Sequence, residues 1–159
     1  MRAVYRVLAF LVAVEVALQA AFMVWGDAGM GLWIEDGGVL DKAAMENAFE
    51  SGESPFPEFM GFVLHAMNGM MVIPAIALLL VISSFFAKVP RGVAYAFAVL
   101  GLVVLQVTLG LAGHSISFLG ALHGINALVL FSTAMWTGLR VGRMARPSET
   151  QPQRERVAA

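Results

Sequence analysis

Apolar residues fall in four long blocks along this chain, separated by polar connections. The blocks run roughly from Tyr5 to Trp25, Phe59 to Phe86, Val93 to Ala112 and Phe118 to Leu139. Each is near or above the length of about 20 residues that a helix needs to cross a bilayer. The pattern predicts an all-α integral membrane four-helix bundle over residues 1–146. A polar tail follows, "PSETQPQRERVAA" over 147–159, whose composition predicts disorder. A basic start before an apolar run is also the mark of a secretory leader, but the first run is longer than a leader core and reads as a membrane helix.

The connections differ in kind. Between spans three and four only Gly113 to Ser117 remain, so these two spans must form an antiparallel hairpin. Between spans one and two lies a long loop, Gly26 to Glu58, with a short surface helix predicted over Val39 to Phe49. It is acidic, carrying Asp27, Glu35, Asp36, Asp41, Glu46, Glu50, Glu53 and Glu58. Arg2, Arg6, Lys88, Arg91, Arg140, Arg143, Arg146, Arg154 and Arg156 all lie on the other side, and Lys42 alone shares the loop's side. The positive-inside rule then predicts both termini in the cytoplasm and the acidic loop outside, in a multi-pass protein of the plasma membrane. Trp25, Trp33, Trp136, Tyr5 and Tyr95 fall near span ends, where an interfacial aromatic belt is expected.

Composition supports this and removes alternatives. The chain is 59% hydrophobic and 13% charged, against about 25% charged in soluble domains. A net charge of −1 with no basic face gives no case for nucleic acid. With no cysteine, disulfides, thiolate catalysis and Cys-ligated zinc or iron–sulfur sites are excluded.

The polar residues inside the spans carry the chemistry. "LHAMNG" begins at Leu64 and "LHGINA" at Leu122; "VALQAAF" begins at Val16 and "VVLQVTL" at Val103. The chain therefore reads as two hairpins, each Leu-Gln followed by Leu-His-x-x-Asn, related as parallel repeats about an axis along the membrane normal. At 1.5 Å per residue, Gln19, His65, Gln106 and His123 all lie about 8–10 Å below the outer span ends. Intramembrane polar groups face the bundle interior or a functional site.

Two imidazoles at one depth, on spans two and four, can ligate a metal from opposite sides. Haem is the natural candidate, because its iron takes axial histidines and a bundle holds the flat ring between facing helices. Asn68 and Asn126 share the histidine faces. Gly61, Gly69, Gly120 and Ala127 flank the histidines and leave room for a ring, or for close helix approach. A metal site without porphyrin is disfavoured, since no carboxylate or third histidine lies at that depth. The competing view is that His, Asn and Gln serve only as hydrogen-bonding glue. Glu15, one turn from Gln19, is either a packing residue or a proton-relay group. His114 reads as a loop residue, Met70 and Met71 as packing. Pro74 predicts a kink in span two.

The segment "LQVTLGLAGHSISFLGALHGINALVLF", from Leu105 to Phe131, resembles the third and fourth helices of one half of haem A synthase. The order of long outer loop, His on helix two and His on helix four is similar as well. Small four-span bacterial membrane proteins show the same pattern. The resemblance implies a four-helix bundle with His65 and His123 as axial haem ligands. That family has two such halves, and this chain has the length of one; a homodimer would restore the pair. The family's outer-loop cysteines are absent, and its carboxylate and arginine near the helix-two histidine are here Phe62 and Ala66. What is implied is haem binding rather than haem oxidation.

The expectation is thus a membrane haem b protein with ligands His65 and His123, bordered by Gln19, Gln106, Asn68, Asn126 and Gly69. Its role would be electron transfer, with quinone as a candidate redox partner, or haem handling. No arrangement of catalytic acid, base or nucleophile appears. The alternatives are a cofactor-free accessory subunit of a membrane complex and a small transporter element lined by Glu15 and the Gln/His layer.

Overall fold

The computed structural model describes residues 1–144; the tail from 147, with Arg146, Arg154 and Arg156, lies outside the described residues. Among the described residues the chain is all-helical. It has α1 (Arg2–Glu35), α2 (Lys42–Ser51), α3 (Met60–Met67), α4 (Ile73–Ala87), α5 (Gly92–Gly113) and α6 (Ser117–Met144). A 3₁₀ turn at Pro57–Phe59 leads into α3, and a π turn at Asn68–Val72 joins α3 to α4 in one continuous span. Four helices are long and apolar enough to cross a membrane: α1, the composite span Pro57–Ala87, α5 and α6.

The spans pack as a ring. Both α1 and α5 lie against the composite span and against α6, so α1 and α5 form one diagonal, the composite span and α6 the other. One end of the bundle is basic, holding Arg2, Arg6, Lys88, Arg91 and Arg140. The opposite end is acidic.

The common core occupies the basic half. It is built from Tyr5, Ala9, Val12, Ala13 and Val16 of α1, Ile73, Ala77, Leu80, Val81 and Ala87 of α4, Ala96, Val99 and Val103 of α5, and Leu130, Ala134 and Val141 of α6. Small and β-branched side chains at i, i+3 and i+4 along α1 let the helices approach closely. Tyr5 is not an interfacial belt residue: it is fully buried, and its hydroxyl donates to the Gly92 carbonyl at 2.9 Å. Arg2 donates to the carbonyls of Ala87 and Lys88 at 3.3 Å each. These two side chains clamp a tight turn in which Lys88 and Arg91 both adopt left-handed backbone, at φ 50° and 58°. Such a conformation costs a non-glycine residue about 1–3 kcal/mol and persists only where surrounding contacts hold it.

The acidic half departs from expectation. Helix α1 does not stop near Trp25 but runs on to Glu35, about 15 Å further. Gly26, Asp27, Gly29 and Gly31 read as loop-formers in the sequence. Instead Gly26 lies against the Phe62 ring and Gly29 against the Glu58 side chain, so tertiary packing overrides the helix cost of glycine, about 1 kcal/mol each. A second cluster forms there from Ala48, Phe56 and Phe59, with Met30, Trp33, Met45, Phe62 and Val63 packed on it. Trp33 meets Phe56 at 5.4 Å between centroids, so it belongs to this cap rather than to a belt. The surface helix α2 starts later than its apolar pattern implied. The Asp41 carboxylate accepts from the Ala44 amide at 2.8 Å and caps it, and Gly52, at φ 74°, ends it.

The disturbance expected at Pro74 takes the form of the π turn. Proline lacks the amide hydrogen and crowds the carbonyl four residues back, which is Met70, inside Asn68–Val72.

Candidate functional site

The polar layer lies where the shared core ends. Beyond Val16, Asn68, Val103 and Asn126, toward the acidic end, no described residue belongs to the core common to all four spans. There each hairpin holds together by itself. In the first, Gly61 of α3 meets the α1 backbone, since a Cβ on it would collide with the Phe22 carbonyl oxygen. In the second, a Cβ on Gly113 of α5 would come within 3.2 Å of Gly120 in α6. Gly61 and Gly113 thus serve close helix approach within their hairpins, whereas a Cβ on Gly120 would meet nothing within 4 Å.

The two histidines meet between the hairpins. His65 is on α3 and His123 on α6, the diagonal pair, with ring centroids 6.1 Å apart and planes inclined by 57°. Each ring is held the same way. His65 Nδ1 lies 3.2 Å from the Gln19 carbonyl oxygen, and His123 Nδ1 lies 2.9 Å from the Gln106 carbonyl oxygen. A carbonyl oxygen can only accept, so Nδ1 of each ring carries the hydrogen. That tautomer leaves Nε2 with its lone pair free in both rings, the arrangement typical of metal-binding histidines. With metal–nitrogen bonds of about 2 Å and each nitrogen about 1.1 Å from its ring centre, two imidazoles sharing one metal stand about 6 Å apart between centroids. The observed separation matches.

The second tier is the asparagine pair. Asn126 Nδ2 donates to the Gln106 side-chain oxygen at 2.6 Å and to the Leu102 carbonyl at 3.0 Å. Asn68 occupies the equivalent place in the first hairpin, but donates to the Glu15 carboxylate at 2.8 Å. Gln19 is the repeat partner of Gln106, and Glu15 of Leu102, so a side-chain carboxylate replaces a backbone carbonyl. This leaves the first hairpin incompletely satisfied: Gln19 Nε2 and Asn68 Oδ1 are buried with no hydrogen-bond partner. A buried polar atom in that state costs about 1–3 kcal/mol, so the site has polar capacity to spare beside His65.

Of the residues singled out in the sequence, Gln19, His65, Asn68, Gln106, His123 and Asn126 come together in this layer, and Gly69 lies against the Gln19 amide. Asn126 and Gln106 are engaged with each other. His114, at the end of α5, is exposed and outside the layer; Met70 and Met71 face outward, 56% and 65% exposed. Gly110 was missed: a Cβ there would stand 3.1 Å from two atoms of the His123 ring. Its position one turn after Gln106 was the available signal. Among the described residues no group of three or more His, Cys, Asp or Glu side chains converges on a point. A protein-only tetrahedral site is therefore not built, whereas a macrocycle brings its own equatorial ligands and asks the protein for the axial pair.

The fold and the layer define a class: among the described residues an all-α chain with four helices long and apolar enough to cross a membrane, in which two imidazoles, each held at Nδ1 by a backbone carbonyl, meet between diagonal helices. No family model, curated protein or solved structure matches this chain.

Proposed function

We propose that the chain is an integral membrane b-type cytochrome that binds one haem between α3 and α6 through His65 and His123. The observation that carries this is the facing pair, 6.1 Å between centroids, with each Nδ1 held by the carbonyl of the Gln in its own hairpin. Haem bound there would supply one-electron exchange at an iron with both axial positions filled, which favours electron transfer over oxygen binding. The residues of the chain do the rest. Gln19 and Gln106 set tautomer and ring orientation through their backbone. Gly110 gives His123 clearance. The packed basic half beneath the asparagines keeps water out from below. The charge distribution orients the basic end toward the cytoplasm of the plasma membrane, so the site sits in the outer half of the bilayer, open to a quinone or another donor there.

The test is spectroscopic. Protein purified in detergent from haem-replete cells is expected to show near-stoichiometric b-type bands, with His65→Ala and His123→Ala each abolishing or sharply weakening them. Folded protein without bands sinks the proposal and leaves the layer as interhelical glue, a reading that the Asn126–Gln106 and Asn68–Glu15 bonds support. Bands unchanged in both variants would assign the ligands elsewhere.

A further inference from the structure

At the basic end, away from the histidine layer, α1 and α6 border a groove of about 530 Å³ lined by Arg2, Ala3, Arg6, Val7, Phe10 and Val141. That size lies within the range of about 300–1,000 Å³ usual for small-molecule clefts. Its two kinds of lining are segregated by helical periodicity. Arg2, Arg6 and Phe10 repeat at i, i+4 and i+8 along one stripe of α1, with Ala3 and Val7 beside them. Gly138 and Gly142 repeat at i, i+4 on α6. A Cβ on Gly138 would overlap the Phe10 ring, and one on Gly142 would press on the Arg6 guanidinium at 3.2–3.4 Å. Two missing side chains on α6 thus seat Arg6 and Phe10, and the Arg6 guanidinium rests 5.5 Å from the Phe10 ring centroid.

The guanidiniums have donors to spare. Arg2 uses two of its five on the Ala87 and Lys88 carbonyls. Among the described residues neither arginine meets a carboxylate: the ion pair there is Lys42–Glu46, at the other end of the molecule. Glu15 is three turns away from the groove mouth, and the remaining described carboxylates lie at the acidic end. Two cationic heads, without a counter-charge among the described residues, stand over an apolar trough at the level where a helix leaves the hydrocarbon. The complementary molecule has an anionic phosphodiester at that level and an alkyl chain below it.

We propose that this groove is a binding site for an anionic phospholipid of the surrounding bilayer, its phosphate held by Arg2 and Arg6 and one acyl chain lying along Ala3, Val7, Phe10 and Val141. The site is independent of the haem proposal and stands or falls separately.

Native mass spectrometry of the full chain in detergent tests it, with equimolar phosphatidylglycerol and phosphatidylcholine offered together. Each interfacial arginine is worth about fivefold, so the chain should retain phosphatidylglycerol about 25-fold over phosphatidylcholine. Arg2→Gln and Arg6→Gln should each lower this preference about fivefold. Arg91→Gln, at the same end but outside the groove, should leave it unchanged. Val7→Phe fills the trough at a position 54% exposed without altering charge, and should reduce retention as well. A loss in Arg91→Gln equal to that in Arg6→Gln would show diffuse attraction and overturn the site. Displacement of the lipid by glycerol phosphate would overturn the role of the acyl chain. If the arginine variants lose helical circular dichroism, Val7→Phe decides: full preference in that variant overturns the proposal.

Discussion

Replacing Gly61 by alanine should loosen the histidine layer without touching a histidine. Gly61 is the point where α3 crosses α1. An added Cβ would collide with the Phe22 carbonyl oxygen and stand 2.8 Å from the Gly26 nitrogen. Both are backbone atoms and cannot rotate aside. Ordinary contact needs about 3.5 Å, so the helices must part by at least about 0.7 Å at this level. His65 lies one turn along α3 from Gly61, and Gln19 one turn along α1 from Phe22. Their bond of 3.2 Å plus about 0.7 Å becomes about 3.9 Å, outside hydrogen-bond range. The collision should cost about 1–3 kcal/mol, as overpacking does. Alanine's better helix propensity returns up to about 1 kcal/mol. Gly120→Ala measures that offset, because a Cβ on Gly120 meets nothing within 4 Å. The quantity to follow is the difference in unfolding free energy between the two variants, by circular dichroism in detergent, together with the absorption bands of each. Gly61→Ala should be the less stable by about 1–3 kcal/mol, with shifted or weakened bands. Equal stabilities and identical spectra would refute the reasoning that this crossing sets the position of His65.

Three further outcomes follow from particular bonds. Asn126→Ala removes two hydrogen bonds and Asn68→Ala one; at about 0.6 kcal/mol per interhelical bond in membranes, and because Asn68→Ala also removes the unpartnered Asn68 Oδ1, the first should cost at least twice the second in denaturant titrations. Equal costs would mean that the Glu15 contact outweighs the pair at Asn126. Tyr5→Phe leaves the Gly92 carbonyl without its buried donor and should lower stability by about 1–2 kcal/mol, read by the same titration. Phe56→Ala removes the centre of the aromatic cap formed with Trp33, Phe59 and Phe62. It should speed proteolysis between Val39 and Ser54 while protection of the basic-half core holds, because the cap shares no core residues with that half.

Much of this architecture was written in local patterns. Four apolar runs of spanning length have one economical solution in a bilayer, because lipid offers backbone groups no partner. Equal counting from the span ends put Gln19, His65, Gln106 and His123 on one level, and a helix has a constant rise, so they lie on one level. The acidic half was less legible. Nothing local announces that Gly26 and Gly29 continue a helix; their conformation is decided by Phe62 and Glu58, distant in the chain. Tyr5 looked like a belt residue because depth can be counted in sequence, whereas the side of the helix facing the core depends on its neighbours.

The sequence by itself determined the number of spans, the charge asymmetry of the two ends and the common depth of the polar residues, since each follows from hydropathy and helix rise along one segment. Only the tertiary structure decided which helices oppose each other and which pack side by side. Ring order placed α3 and α6 on a diagonal, and the glycine crossings at Gly61 and Gly113 drew each hairpin together. Backbone carbonyls of the neighbouring helix then took Nδ1 of each histidine. Depth is a property of one helix; a pair of imidazoles that meet with each Nδ1 held by a neighbouring backbone carbonyl is a property of four.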